Sequence, residues 1–217
     1  AIDVGSYELE RTIYEISPKR GIVQLERLRK VIGLGRDTYE RGIISYERVD
    51  EMCRLLHRFQ LVMAEYQVEN YRAYGTSAVR EAENREVVLD QIRVRTGIEI
   101  DVLSNSEQRF LCYKAIAAKE NEFNNIIQKG TAIVDVSFGS MQISLFDKDS
   151  LVSTQNLPLG VMAIGTILSK IPASSRMQRS IVEEVVDKEL GTYKKMYLRD
   201  RDMKNRGIKN LIAIGEL

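Results

Sequence analysis

The apolar positions of this chain change period several times, and each change marks an element. Ala1-Ile-Asp-Val-Gly-Ser6 reads as a strand ending in a turn. Residues 9–17 and 22–32 read as two further strands joined at Pro18 to Gly21, a β-meander that Gly33 and Gly35 break. The period then switches. Val49, Met52, Cys53, Leu56, Phe59, Met63 and Tyr66 recur at the i, i+3, i+4, i+7 spacing of an amphipathic helix over 46–66, with Ser45 placed to cap it. A strand near 70–76, a helix over 84–96 ended by Gly97, a strand over 98–104 and a helix from about 106 to 119 are predicted next.

Polar residues 119–130 form a connector, part of it helical, and then the first pattern returns. Thr131-Ala-Ile-Val-Asp-Val136 is an apolar strand running into a Gly/Ser turn. Residues 141–147 and 151–157 make a second meander, a helix begins after Gly160, and a long helix covers about 177–198. Ala1 to Ser6 thus matches Ile133-Val-Asp-Val-Ser137 with Gly139-Ser140, each followed by a meander and then helices. An internal repeat fixes architecture. It implies two related α/β lobes, 1–120 and 121–217, with a cleft between them. The first residues read as the inside of a strand, and Asn210 to Leu217 as a strand entering a loop. The expectation is a piece of a longer chain whose second lobe is truncated at its C-terminal end.

Composition narrows the chemistry. The 217 residues allow one large domain or two small ones, and 44% hydrophobic with 29% charged residues suits a globular protein with a sizeable core. Lys plus Arg is 32 and Asp plus Glu is 31, so the net charge of +1 points neither to nucleic acid nor to an anionic membrane. No run approaches a membrane span and no signal peptide is visible, so a cytoplasmic protein is expected. Cys53 and Cys112 lie in apolar helical patterns and read as buried thiols rather than a disulfide or a Cys-rich metal site. The single histidine, His57, removes most catalytic triads and His-based zinc sites. Met52 and Met63 read as core, and the charge-rich segment 199–209 as a solvated loop.

The candidate chemistry lies in the two Asp loops. A strand that delivers Asp and then small residues into a tight turn lets the backbone approach a phosphate closely. Successive N–H groups converge on the anion. The Asp at the strand end, Asp3 or Asp135, can hold a divalent cation against the same phosphate. Gly5 and Ser6 in one loop, and Ser137, Gly139 and Ser140 in the other, are the candidate phosphate ligands. Either loop alone reads as a plain β-turn. Two of them, each opening a three-strand unit at equivalent places, make chance much less of an explanation.

The duplicated unit is similar to the ribonuclease-H-like fold of actin and the sugar kinases, with mixed sheets flanked by helices. Within that group the chain resembles the Ppx/GppA family of exopolyphosphatases and guanosine pentaphosphate phosphatases. The resemblance is carried by Ala1 to Ser6, Leu34-Gly-Arg36 with Gly42-Ile-Ile-Ser45, and Tyr74-Gly-Thr-Ser-Ala-Val-Arg-Glu-Ala-Glu-Asn84. Val102-Leu-Ser-Asn-Ser-Glu-Gln108, Val134 to Ser140 and Leu157-Pro-Leu-Gly160 follow in the same order and spacing. The resemblance implies hydrolysis of a terminal phosphoanhydride of polyphosphate or of guanosine penta- or tetraphosphate bound in the cleft, with Mg²⁺ as cofactor; it leaves a homodimer open. It implies Glu107 as general base on the attacking water. Without the resemblance, Glu107 reads as an acid at a helix N-terminus. Arg80 is placed to pair with phosphate, or with Glu81 or Glu83.

The departures from the family pattern cluster at the site. Tyr7 and Glu8 replace an Asn-Ser, and Glu10 stands where a basic residue is expected. In the second loop Ser137 and Phe138 replace glycines, and Gln142 replaces a carboxylate. Gln142 is therefore a weak metal ligand, with an amide oxygen and no charge. Phe138 brings bulk where backbone should meet phosphate, and Glu8 and Glu10 add negative charge. Ala163 stands for a basic residue and Glu216 follows Gly215 in place of a second glycine. The competing readings are a degenerate relative that binds nucleotide or polyphosphate, or acts as a scaffold, without turnover, and a kinase or actin-like ATPase. The Thr76 to Ala82 and Ser104 to Gln108 stretches argue against the last.

Overall fold

The structure, a computed structural model, describes residues 1–119, 123–157, 159–172, 174–197 and 207–215. It divides into two compact units, Ala1–Leu111 and Cys112–Leu217. The first is built on a five-stranded sheet in the order β3-β2-β1-β4-β5. Its strands are β1 (Ile2–Val4), β2 (Glu8–Ser17), β3 (Gly21–Val31), β4 (Ala73–Gly75) and β5 (Asp101–Val102). β1 to β3 are antiparallel neighbours, and β4 and β5 add in parallel. The second unit repeats this plan in a four-stranded sheet, β8-β7-β6-β9. There β6 (Thr131–Val136), β7 (Met141–Asp147) and β8 (Ser150–Leu157) form the meander, and β9 (Asn210–Gly215) lies parallel to β6.

Helices cover the sheets because alternate strand residues on each face are apolar. In the first unit Ile2, Val4 and Leu9 pack with Met52, Leu56 and Phe59 of α2 (Tyr46–Glu65) and with Val88 and Ile92 of α4 (Arg85–Thr96). Such a fully buried Leu or Phe contributes roughly 1.5–3 kcal/mol. In the second unit one face of the sheet, through Ala132, Ile143 and Leu145, meets Tyr193 and Leu190 of α8 (Ser175–Tyr197). The other face, through Ile133, Phe146 and Ile212, meets Tyr113 and Ile116 of α5 (Asn105–Lys119) and Ile127 of α6 (Phe123–Ile127).

Several local expectations are modified. A helix α1 (Leu34–Arg41) follows Gly33, where the sequence pattern shows only a break. Ser45 precedes α2 but makes no side-chain cap; its N–H and Oγ both donate to Asp37 Oδ2, at 3.1 and 2.5 Å. A carboxylate one turn inside α1 outcompetes the helix amides for that hydroxyl. The strand expected over 98–104 shrinks to Asp101–Val102, and Ile98 is buried by packing rather than pairing. Gly97 ends α4 as expected, at φ 71° with its N–H on Arg93 O. The remaining helices are α3 (Ser77–Glu81) and α7 (Val161–Ser169). Cys53 is buried and Cys112 half-buried, and Met52 and Met63 belong to the first core. Most of 199–209 and Glu216 lie outside the described residues. Among the described residues no helix is long and apolar enough to cross a membrane.

Candidate functional site

The two Asp loops close in the same way. In the first, Gly5 N–H donates to Glu8 O at 3.0 Å; in the second, Ser137 N–H donates to Ser140 O at 2.9 Å. This equivalence pairs Asp3 with Asp135, Gly5 with Ser137, and Ser6 with Phe138. The strand registers extend it: Asp3 faces Glu10 across β1 and β2, and Asp135 faces Gln142 across β6 and β7. An acid thus stands opposite Asp3 in the first unit and an amide opposite Asp135 in the second.

Each loop is also tied to the helix that follows its meander. Gly35 N–H of α1 donates to Ser6 O at 2.6 Å, and Met162 N–H of α7 to Phe138 O at 2.9 Å. Helix N-termini carry amides without intrahelical partners, and the loop carbonyls satisfy them. The close approach needs glycine. A Cβ on Gly35 would lie 2.9 Å from the Tyr39 ring and 3.1 Å from Ser6. A Cβ on Gly160 would lie 2.2–2.4 Å from backbone atoms of Phe138, Gly139 and Ser140.

Two of the expected phosphate-binding hydroxyls are engaged within the protein. Ser6 is buried, and its hydroxyl joins a ring with Tyr39 Oη (3.2 Å) and Ser77 Oγ (2.9 Å) while accepting from Ala78 N–H. Tyr39 Oη closes the ring by donating to Ser77 Oγ at 2.8 Å. Ser137 Oγ donates to Ser140 O at 3.0 Å, beside its own N–H. Ser6, Gly5 and Ser137 therefore shape the loops. Tyr39 and Ser77 do so as well; the sequence pattern of Thr76 to Ala82 flagged the segment but not this use.

Asp3 borders a pocket of about 280 Å³ with Glu10, Thr12, Tyr74, Thr76, Leu103, Gln108 and Leu111. Arg80 lies next to it. Its Nη1 donates to Leu103 O at 2.7 Å and reaches Gln108 Oε1 at 3.5 Å, with Glu81 3.8 Å away. Glu107 forms a reciprocal cap with Ser104 at the start of α5: Ser104 N–H donates to Glu107 Oε2 at 2.8 Å, and Glu107 N–H to Ser104 Oγ at 3.2 Å. These bonds, the backbone one first, hold the exposed Glu107 carboxyl below its usual pKa, so it is ionised at neutral pH.

Asp135 has a different environment. It shares the α5-facing side of its sheet with Ile133, and burial raises its pKa. Burial, and secondarily Asp135, push the Cys112 thiol up to about 11, so that thiol is neutral and unreactive at pH 7. Among the described residues no group of three or more His, Cys, Asp or Glu side chains comes together. Asp3 and Asp135 each stand with one oxygen-bearing neighbour across the strand pair, Glu10 or Gln142. The charge of Glu10, read from sequence as a burden, is taken up by Arg27 and Arg29 of β3.

A model of the Ppx/GppA phosphatase family matches residues 12–208. Exopolyphosphatase 1 of Mycobacterium tuberculosis is 24% identical over 159 residues, which cover 73% of this chain and 45% of that protein. Guanosine-5'-triphosphate,3'-diphosphate pyrophosphatase of Aliivibrio fischeri is 25% identical over 118 residues, 54% of this chain and 23% of that protein. The crystal structure of the Aquifex aeolicus Ppx/GppA family member superposes with a TM-score of 0.72 at 20% identity, covering 99% of this chain and 65% of that one. That likeness shows the fold, an actin-like one built from the duplicated unit expected from the repeat. The chain spans less than half the length of these curated relatives.

Proposed function

Because the chain belongs to the Ppx/GppA phosphatase family, we propose that it hydrolyses the terminal phosphoanhydride of polyphosphate or of guanosine penta- or tetraphosphate. The observation that carries this reading is the pair of Asp loops, closed by the same hydrogen bond and presenting Asp3 and Asp135 from equivalent strand ends. In this reading each loop receives phosphate through the amides at its tip. The setting is cytoplasmic, in keeping with two free cysteines.

Mg²⁺ fits the donor set. Asp135 is a partly desolvated carboxylate whose burial disfavours its charge, which a cation would relieve. In the second unit Asp135 would hold the ion, with Gln142 opposite it adding an amide oxygen, and Asp3 is the equivalent carboxylate of the first unit. With so few protein carboxylates, phosphate oxygens and water would complete its shell. Bound there, Mg²⁺ would neutralise phosphate charge. Glu107 accepts a proton from the attacking water through the carboxylate oxygen that Ser104 N–H leaves open. Its lowered pKa keeps it in the basic form at neutral pH. Arg80 is held by Leu103 O and Gln108 with donors to spare for a phosphate.

A second reading, binding without turnover, is favoured by Gln142 opposite Asp135 and by Phe138 in the second loop. Titration calorimetry with tripolyphosphate, with and without Mg²⁺, tests the site shared by both readings. Wild type is expected to bind in an Mg²⁺-dependent manner and Asp135→Asn to lose that dependence. Equal binding by the two proteins, with and without the metal, would overturn the placement of Mg²⁺ at Asp135.

A further inference from the structure

The first Asp loop carries an acid, Glu10, where a polyanion site would be served by a base. The structure shows what that acid does. Arg27 Nε and Nη2 donate to Glu10 Oε1 and Oε2 at 2.8 and 2.7 Å, a two-pronged clamp. Arg29 Nε donates to Glu10 Oε2 at 2.8 Å and approaches Glu8 at 3.3 Å. Thr12 Oγ1 donates to Glu10 Oε1 at 2.9 Å. Glu10 therefore fixes two guanidinium groups in place.

Strand register sets where they stand. Glu10 pairs with Asp3 on one side and with Arg29 on the other, and Thr12 pairs with Arg27. Directly opposed residues share a sheet face, so Asp3, Glu10, Arg29, Thr12 and Arg27 lie on one surface. Glu10, Thr12 and Asp3 line the same pocket. The exposures decide which charge that surface presents. The side chains of Glu8 and Glu10 are 16% and 19% exposed, those of Arg27 and Arg29 42% and 47%. Two of five N–H donors on Arg27 and one on Arg29 are taken by Glu10, which leaves forked donors suited to phosphoryl oxygens.

We propose that Arg27 and Arg29, anchored by Glu10, form a subsite for the phosphoryl groups next to the one held at the first Asp loop. This rests on the phosphoanhydride reading above and deepens it: the subsite favours a chain of several phosphates over a single one. Glu10 is a positioning residue here, and the two arginines are ligands.

The test is titration calorimetry of the full chain with orthophosphate and with tripolyphosphate at fixed ionic strength, comparing wild type with Arg27→Gln/Arg29→Gln. Both positions are substantially exposed, and a thermal melt checks that the double variant is folded. Wild type is expected to prefer tripolyphosphate, and the double variant to lose about tenfold of that preference while binding orthophosphate within about twofold of wild type. An equal loss of affinity for both ligands would overturn the subsite, as would an unchanged preference. A wild-type protein that binds neither ligand would overturn the phosphate reading itself, and the subsite with it.

Discussion

Replacing Gly160 with alanine separates a structural role of the family motif at Leu157 to Gly160 from a merely permissive one. Gly160 has φ −73°, which any residue adopts, so backbone strain plays no part. The obstacle is space. The added Cβ would lie 2.2 Å from Gly139 C, 2.3 Å from Ser140 N and 2.4 Å from Phe138 O. Carbon contacts sit near 3.5 Å or beyond, so the loop or the start of α7 must move by about 1 Å. All three obstructing atoms are backbone, and the loop is held by Ser137 N–H on Ser140 O and by Met162 N–H on Phe138 O. Overpacking of this kind costs about 1–3 kcal/mol, and here the upper end is expected. For a unit of this size that lowers Tm by roughly 10–20 °C. Gly165→Ala is the matched control. It lies in the same helix, exposed, with nothing within 4 Å of the added Cβ, and should stabilise by roughly 0.5–1 kcal/mol. Thermal melts of the two variants beside wild type read the difference. A Gly160→Ala protein that melts within about 2 °C of wild type would refute the packing argument.

Two other changes have defined outcomes. Tyr39→Phe removes one hydroxyl from the Ser6–Tyr39–Ser77 ring while leaving Ser6 and Ser77 bonded to each other. It should cost about 1 kcal/mol and speed hydrogen exchange at Gly5 and its neighbours; unchanged exchange would remove Tyr39 from the support of the loop. Asp135 has a raised pKa in the folded state, so folding favours its protonated form and charging it opposes folding. The penalty is fully present above the folded pKa and is relieved as pH falls through it toward the unfolded value. Asp135→Asn should therefore raise Tm at pH 7 without Mg²⁺, and the gain should shrink in acid; melts at two pH values decide it.

The sequence pattern shows the fold more clearly than the working of the site. The two meanders, α2, α4 and α8 carry strong periodicity, and the repeat of Asp3 and Asp135 predicts the matching sheets. Helix α1 carries glycines at 33, 35 and 42 around eight residues, too little local propensity to announce itself. It exists through tertiary bonds such as Gly35 N–H on Ser6 O and Thr38 Oγ1 on Ala78 O. The same limit applies at the loops. Small hydroxyl residues in an Asp turn suggest phosphate ligands, yet the Ser6 hydroxyl binds Tyr39 and Ser77 and the Ser137 hydroxyl closes its own loop. Whether a donor faces ligand or protein depends on neighbours such as Tyr39, which lies 33 residues from Ser6. The compensation of Glu10 by Arg27 and Arg29 was hidden for a similar reason. It depends on a register that shifts by one residue between Ile13 and Tyr14.

The ion pair behind the site, buried at Arg11 and partly exposed at Glu26, follows this rule too. Arg11 is buried on the helix-facing side of β2, paired with Glu26 and stacked 5.2 Å from the Phe59 ring centre. Glu26→Ala would leave that guanidinium buried without its counter-charge, at a cost of about 3 kcal/mol read by denaturant melts. A cost below about 1 kcal/mol would show that the Phe59 ring and carbonyl suffice for Arg11.

The central claim is turnover, and Glu107 gives the sharpest test of it. Glutamine serves the Ser104 cap as well as glutamate does, because the reciprocal motif accepts either at that position. Glu107→Gln therefore removes the base and leaves the start of α5 intact. The measurement is the initial rate of orthophosphate release from polyphosphate and from guanosine pentaphosphate with Mg²⁺, for wild type and Glu107→Gln side by side. The account predicts release by wild type and a loss of at least about a hundredfold in the variant, at unchanged Tm. Equal release by the two proteins, or none by wild type while it still binds tripolyphosphate, would contradict it.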